Sequence, residues 1–585
     1  MNKAREHPSP VITEIVRNGV LAVTEEMKTN LMRTAYNRII YESLDFTVGL
    51  FTAEGDTVSI ALGLPMFVRG MAETVKAKIA HFGKDGMEPG DILVTNDSSV
   101  TGSHLYHMTL TKPIFHEGDL IAFASCMGHW PDVGGVLDGV TKDIYSEGLQ
   151  IPILKAHKRG VPNQDLLDII KLNVRHPDKA MGDWRAELTA VATGERRFLE
   201  LIDRYGRGAV LRSIDRILDQ SEAAARAKAR TIPDGVYRAE SFMDDDGVNL
   251  GIRVPIRVTV EVSAGEMTID LSEVSPQVDG FYNSGASTGR GCAELAFKCL
   301  TSASDYPIND GSFRPLKVVL PPGRVISARR PAPMRWWMTY PMTVVDTIFK
   351  ALEPAIPDRI ICGHNADLDV AQLNWMQDGV TQLSYVSTNG GWGAKHNEDG
   401  MCTTVCINDG DTQRAPVELL ESKHPLIVEK YEFDPDSGGA GRQRGGLGAE
   451  QVVRVLYDSN VNIQIERHHC APWGLAGGLA GASNTVRLRR NGVTETVEGN
   501  AKLLGVPLKA NDAFMVRAGG GGGFGPPTDR AIEQVEEDVR QGYVTIQAAS
   551  KLYGVVMDAD TGRARRAETE MLRAALRAQQ RNAAA

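Results

Sequence analysis

The chain has no run of 18 apolar residues, no stretch of signal-peptide length at its start and no excess of positive charge, and each absence removes a class of function. Without the first there is no transmembrane helix. The opening, MNKAREHPSPVITEIVRNGV, lacks the apolar core of a secretory leader, so the expectation is a soluble, cytoplasmic protein with no membrane partner. Against 74 Asp and Glu stand 64 Lys and Arg, a net charge of −10, which gives no global basic footprint of the kind nucleic-acid binders carry. Seven cysteines, an odd number scattered along 585 residues, argue against a disulfide framework. Cys402 and Cys406 are four apart, but no second pair completes a zinc ribbon, so buried thiols acting as small hydrophobes are expected. There is no repeat of a solenoid's or propeller's length. The run AGGGGGFG (518–525) lacks the Lys-Ser/Thr of a phosphate loop, and the expectation there is a loop in which backbone packs against backbone. The chain carries no recognisable ATP-binding motif.

What is present is enough apolar sequence, 42%, to bury a large core over several domains or lobes. Apolar positions at helical spacing after Ser9-Pro10 predict a long first helix over 9–37. LDFTVGLFTAEGDTVSIALG (44–63) reads as two strands around the turn AEGD, and GMAETVKAKIAHFG (70–83) as a helix closed by Gly83. DILVTND (91–97), HLYHMTLTKPIF (104–115) and LIAFASCMGHW (120–130) add strands. A charged, helical stretch follows to the breaker IPDG (232–235), then period-two runs such as IRVPIRVTVEV. The fold class is therefore α+β, a mixed α/β chain with several sheets. Its expected segments are an N-terminal sheet and helix lobe (1–160), a helical lobe (161–232), a β-rich lobe (233–330), an α/β lobe with Gly-rich loops (331–480), and C-terminal strands with a glycine loop and helical tail (481–585). In DSGGAGRQRGGLGAE (436–450), Arg442 and Arg444 either hold an anion or staple the loop.

The chemistry gathers in the first 150 residues: Asp45, Asn96, Asp97, His104, His107, His129, Asp132 and Glu147. His104 and His107 are three apart. In a regular strand they would face opposite ways, but on a turn or bulge both can reach one ion. His129 ends a strand-like run just before Pro131, where the backbone must turn. Neutral imidazoles with carboxylates suit Zn²⁺, Mn²⁺ or Fe²⁺, with a position left for water or substrate. The competing reading is that each histidine caps a turn or hydrogen-bonds in the core. Asp45, between Leu44 and Phe46, would become a general base if burial raised its pKa. The segment PMRWWMTYPM (333–342) either lines a substrate pocket or anchors core and interface through Trp336 and Trp337.

The order of YESLDF, TND, GSHLYHMT, HWPDVGG, DIYSEGLQIP, IPDGVYRAESFMDDDG, SGGAGRQRGGLG, PWGLAGG and AGGGGGFG resembles hydantoinase B/oxoprolinase proteins nearly end to end. The resemblance implies the B subunit of an ATP-dependent cyclic-amide hydrolase. An A-type partner subunit would bind ATP and phosphorylate the substrate, and this chain would complete ring opening with a divalent metal, zinc or manganese. Carried over by position, the metal ligands fall on Asp97, His104, His107 and His129, and the catalytic groups on Asp45, Asp132 and Glu147. Asp45 or Asp132 would deprotonate water, and His129 or Glu147 would protonate the departing nitrogen. Two departures stand out. Many members have Asp where this chain has His107, and NDPY where it has Asn96-Asp97-Ser98-Ser99. Related carboxylases acting on acetone or acetophenone imply an alternative, a carboxylating subunit. A non-catalytic scaffold for an ATPase partner is a third.

Overall fold

In a computed structural model, residues 9–301, 307–410, 412–497 and 501–584 are described; residues 1–8, part of the opening searched above for a leader, lie outside them. The chain is mixed α+β; among the described residues there are sheets of seven, four, four and five strands with helices packed on their faces. Among the described residues, no helix is long and apolar enough to cross a membrane.

The first helix runs Pro10–Thr34. Proline at its first position and the Ser9 side chain accepting from Val11 N–H begin it. Its buried stripe of Val16, Val20, Val23, Met27 and Leu31 is the helical periodicity seen in the sequence. The largest sheet contains β1 (Phe46–Thr52), β2 (Thr57–Leu62), β3 (Ile92–Thr95), β4 (His107–His116), β5 (Asp119–His129), β6 (Leu154–Lys158) and β7 (Val161–Pro162), in the order β2-β1-β5-β4-β3-β6-β7. All its neighbouring pairs are antiparallel. Helix Gly70–Phe82 stops at Gly83, whose φ of 66° is a conformation that favours glycine.

The helical stretch is made of Gln164–Asn173, Pro177–Tyr205 and Arg207–Ala229. Helix Pro177–Tyr205 packs on both the first helix and β5. One apolar cluster runs from Val16 through Cys362 and takes in Ala394, Leu475 and Phe524, so the segments 1–160, 161–232 and 233–330 share a core. In the second sheet Leu316–Val319 joins Glu266–Asp270 in parallel, while the other pairs are antiparallel. The hairpin Val370–Gln377 and Val380–Ser387 pairs with Ser459–Gln464 in a third sheet, whose face meets the first sheet's strand ends at the site.

The glycine-rich runs interlock. Gly521, Gly522 and Gly523 donate their N–H groups to the carbonyls of Gly446, Gly363 and Leu479 at 3.0, 2.7 and 2.9 Å. A Cβ on Gly521 would lie 1.9 Å from the Trp392 carbonyl oxygen, so no larger residue fits. These N–H groups are spent on protein carbonyls rather than turned toward a phosphate. Arg444 donates to the Gly445 carbonyl at 2.7 Å and faces Asp538 at 3.5 Å, and Arg442 donates to the His396 carbonyl at 3.0 Å. Both arginines staple the loop. All seven cysteines are free thiols.

Candidate metal centre

Strand order brings the site together. Asp45 immediately precedes β1, His129 ends β5 and His107 begins β4, and these three strands are neighbours in the sheet. Phe46 pairs with Gly128 and His107 with His129, so one edge of the sheet carries all three side chains. His104 sits on the turn that leads into β4, where the three-residue offset from His107 no longer forces opposite faces. Leu44, with φ 58°, turns the chain into β1, and His129 N–H donates to the Asp45 carbonyl at 3.1 Å. Behind this turn a Cβ at Gly63 would fall 1.8 Å from the Leu44 carbonyl oxygen, so the close approach that fixes Asp45 requires glycine there.

One ligand atom each from Asp45, His104 and His129 lie within 4.8 Å of one another. His104 Nε2 and His129 Nδ1 are buried and have no hydrogen-bond partner among the described residues. Burial, reinforced by His107 and His129, pushes His104 well below the usual imidazole range. Burial likewise takes His129 down to about 4, although Asp45 opposes it. Both rings are therefore neutral at physiological pH and keep a lone pair for a ligand. Burial would raise Asp45, but His107 and His129 bring its carboxyl below the ordinary carboxylate range, so it is ionised.

His107, expected as a ligand, has both ring nitrogens engaged. Its Nε2 is 2.9 Å from Asp45 Oδ1 and its Nδ1 is 2.7 Å from Ser103 Oγ. Because an ionised carboxylate only accepts, Nε2 carries the proton and Nδ1 accepts from the Ser103 hydroxyl. The ring thus holds Asp45 in place instead of offering a lone pair to the centre. Asp97 is directed elsewhere: it accepts from Ser99 N–H and Oγ at 2.9 and 2.7 Å and pairs with Arg330 at 3.0 Å, capping helix Ser98–Thr101. Ser99 and Arg330 outweigh burial and hold its carboxyl below the usual range.

A cavity of about 170 Å³, open to solvent at its mouth, lies over Asp45, His104 and His129. Neither Asp132 nor Glu147, the two expected catalytic acids, lines it. Asp132 accepts from Arg175 Nη1 at 2.6 Å and from the Arg175 and Gly134 backbone N–H groups. Glu147 accepts from Thr141 at 2.7 Å and from Met334 and Arg335 N–H at 3.0 Å, and burial raises it to about 7. It therefore fixes the segment that forms the cavity wall.

That wall includes Trp336, Trp337, Met338 and Met342, so PMRWWMTYPM does line a pocket; Trp337 also stacks on Phe67 at 5.7 Å. Polar groups not singled out in the sequence also line it, among them Arg335, Asp367 and Asp409. Burial raises Asp367 to about 6 and Asp409 to about 7, the latter despite the Cys406 thiol donating to Asp409 at 2.7 Å. Asp367 and Asp409 stand in short mixed segments, HNADLDV (364–370) and CINDG (406–410), whose pattern did not mark them.

The fold and site define a class: a mixed α+β protein with a histidine–carboxylate centre opening on a mostly apolar cavity. The hydantoinase B/oxoprolinase family model matches residues 9–527, and the chain belongs to that family. The caprolactamase subunit beta of Pseudomonas jessenii is 30% identical over 97% of this chain and 99% of its own length. The crystal structure of the ATP-dependent caprolactamase from the same organism superposes with a TM-score of 0.90 at 28% identity, covering 98% of this chain and all of that one. A nucleotide-free acetone carboxylase structure gives a TM-score of 0.89 at 20% identity, over 98% of this chain and 83% of that one, and shows the shared fold.

Proposed function

We propose that this chain is the hydrolytic B subunit of an ATP-dependent cyclic-amide hydrolase, acting on a ring activated by an A-type, ATP-binding partner. The observation that carries the reading is the set Asp45, His104 and His129, with two unpartnered buried imidazole nitrogens beside an ionised carboxylate. An unpaired buried nitrogen is destabilising unless something occupies its lone pair. Two neutral imidazoles and a carboxylate suit a divalent cation such as zinc or manganese. These three residues would hold it, and when bound it would supply Lewis acidity toward the ring carbonyl and toward water.

The rest of the chemistry belongs to the chain. A ring amide resists attack because its C–N bond is resonance-stabilised, and phosphorylation of the carbonyl oxygen by the partner would remove that protection. His107 orients Asp45. The walls of Trp336, Met338, Met342 and Leu368 seat apolar ring carbons and exclude bulk water. Asp409, raised to about 7 by burial, exchanges a proton near neutrality and faces the same space, which suits it to carry a proton to the departing nitrogen. It takes the role that the family resemblance would give to His129 or Glu147.

The test is co-expression with the A-type subunit. ATP hydrolysis and ring opening are followed with hydantoin, 5-oxoproline, caprolactam and acetophenone, with and without labelled bicarbonate. Ring opening without label incorporation is expected. Label in a stable keto acid would instead establish the carboxylating alternative that the shared fold of acetone carboxylase favours.

A further inference from the structure

The two imidazole nitrogens are not the only unsatisfied groups around the cavity. Arg335 Nη1, Trp337 Nε1 and Gln372 Nε2 are buried, belong to lining residues and have no hydrogen-bond partner among the described residues. All three are donors. For Gln372 the identity of the free end follows from its neighbour: Arg335 Nη2, which can only donate, contacts the amide oxygen at 3.1 Å and leaves the NH₂ unpaired.

The donors are held in place before any ligand arrives. Arg335 is 5% exposed; its Nη2 also donates to the Leu137 carbonyl, and its backbone N–H is fixed by Glu147 at 3.0 Å. Trp337, 1% exposed, is stacked on Phe67, with its ring 6.0 Å from that of His104. Gln372, 2% exposed, stands on strand Val370–Gln377 and touches Arg335 across the cavity wall. A fixed guanidinium and two neutral N–H donors lining one cavity match a ligand rich in acceptors and negative in charge. The cavity's carboxylates do not oppose this uniformly. Burial keeps Asp367 and Asp409 protonated to higher pH than usual, and Asp45 lies with the imidazoles.

We infer that Arg335, Trp337 and Gln372 form an oxyanion seat beside the histidine centre, which takes a phosphoryl or carboxylate group of the substrate. The inference rests on reading this cavity as the substrate site, but it does not depend on the hydrolytic outcome. A phosphoryl group seated there would be held next to the reacting carbon; a carboxylate would mark a ring acid as the substrate.

The test uses the purified full-length chain loaded with zinc. Inorganic phosphate and acetate are titrated separately, followed by calorimetry and by the fluorescence of the cavity tryptophans. Saturable binding is expected, with the tighter anion identifying the source. Gln372→Glu, which replaces a donor by a repelling carboxylate, and Arg335→Gln should each weaken binding about tenfold or more, the worth of one charge-assisted hydrogen bond. Trp337→Phe keeps the stack on Phe67 and loses only the N–H, so a smaller, severalfold loss is expected. It also covers the case in which Arg335→Gln fails to fold. Zinc content should be unchanged in all three.

Repeating the titration with His129→Ala separates the seat from the metal. Anion binding that survives zinc loss supports the seat. Binding that follows the zinc and ignores the three seat variants overturns it, as does the absence of binding by either anion. Failure of ring opening with intact anion binding would count against the hydrolase reading and leave the seat standing.

Discussion

The histidine centre opens on a cavity, whereas the carboxylate knot around Lys502 is cut off from water and its charged groups are paired with one another within the protein. In the knot, Lys502 Nζ pairs with Glu466 at 2.7 Å and Asp245 at 3.1 Å, with side chains 2% or less exposed. Asp244 accepts three successive backbone N–H groups, from His468, His469 and Cys470, at 2.7–3.0 Å. Glu466 and Asp245 outweigh burial and push Lys502 upward, which keeps it charged beside them. At the histidine centre the carboxylate is matched by neutral rings with lone pairs to spare. Buried ionic groups paired among themselves hold a structure together, whereas buried donors and acceptors left open serve a ligand.

The widest split between the regions should come from removing one member of each. His129→Ala is expected to abolish metal retention and cut ring opening by well over the roughly 100-fold typical of residues that only orient ligands, with little change in thermal midpoint. Metal analysis, the coupled assay and calorimetry report this. Full metal retention would sink the ligand assignment. Lys502→Met should do the reverse. It strands Glu466 and Asp245 without their cation, at a cost of about 3–5 kcal/mol, and lowers the denaturant midpoint while the folded fraction keeps its metal. Loss of metal without loss of stability would erase the contrast.

A smaller effect separates ligand from support inside the histidine centre. His107→Phe leaves Asp45, His104 and His129 in place but frees the Asp45 carboxylate, so metal affinity should fall about 10–100-fold rather than vanish. Competition with a chelator measures it, and a loss equal to that of His129→Ala would make His107 a ligand after all. Smallest is a pH effect at Glu147. Its folded pKa, about 7, lies above the ordinary 4.5, so between those values the folded state keeps a proton that the unfolded chain has released. Stability from this group is present below about 4.5 and is lost as pH rises toward 7. Glu147→Gln should flatten that slope in unfolding titrations from pH 4.5 to 7.5, and an unaltered slope would show that burial does not hold the proton.

Much of the frame was legible along the chain. Ser9-Pro10 marked the first helix, AEGD the first hairpin, and the apolar run before Pro131 placed His129 at a strand end, all through local period and turn chemistry. Helix Thr339–Ala351 was not legible as a helix, because nearly every residue in it is buried and no polar face reports the 3.6-residue period. The hairpin of Val370–Gln377 and Val380–Ser387, which supplies Gln372, was likewise hidden in a stretch read as loop-rich.

The sequence by itself determined the family, the α+β class and the presence of Asp45, His104, His107 and His129 near strand ends; strand pairing put them on one sheet edge. Which carboxylates face the cavity was decided only by tertiary structure. Arg175, 43 residues from Asp132, and Arg330, 233 residues from Asp97, claim those acids as ion-pair partners. Ser103 and Asp45 together use up both nitrogens of His107. Arg335, Asp367 and Asp409 reach the cavity from segments far from the histidines. A side chain's chemistry is written in its residue type, but whether it is paired, buried or left open depends on partners that only folding brings within hydrogen-bond reach.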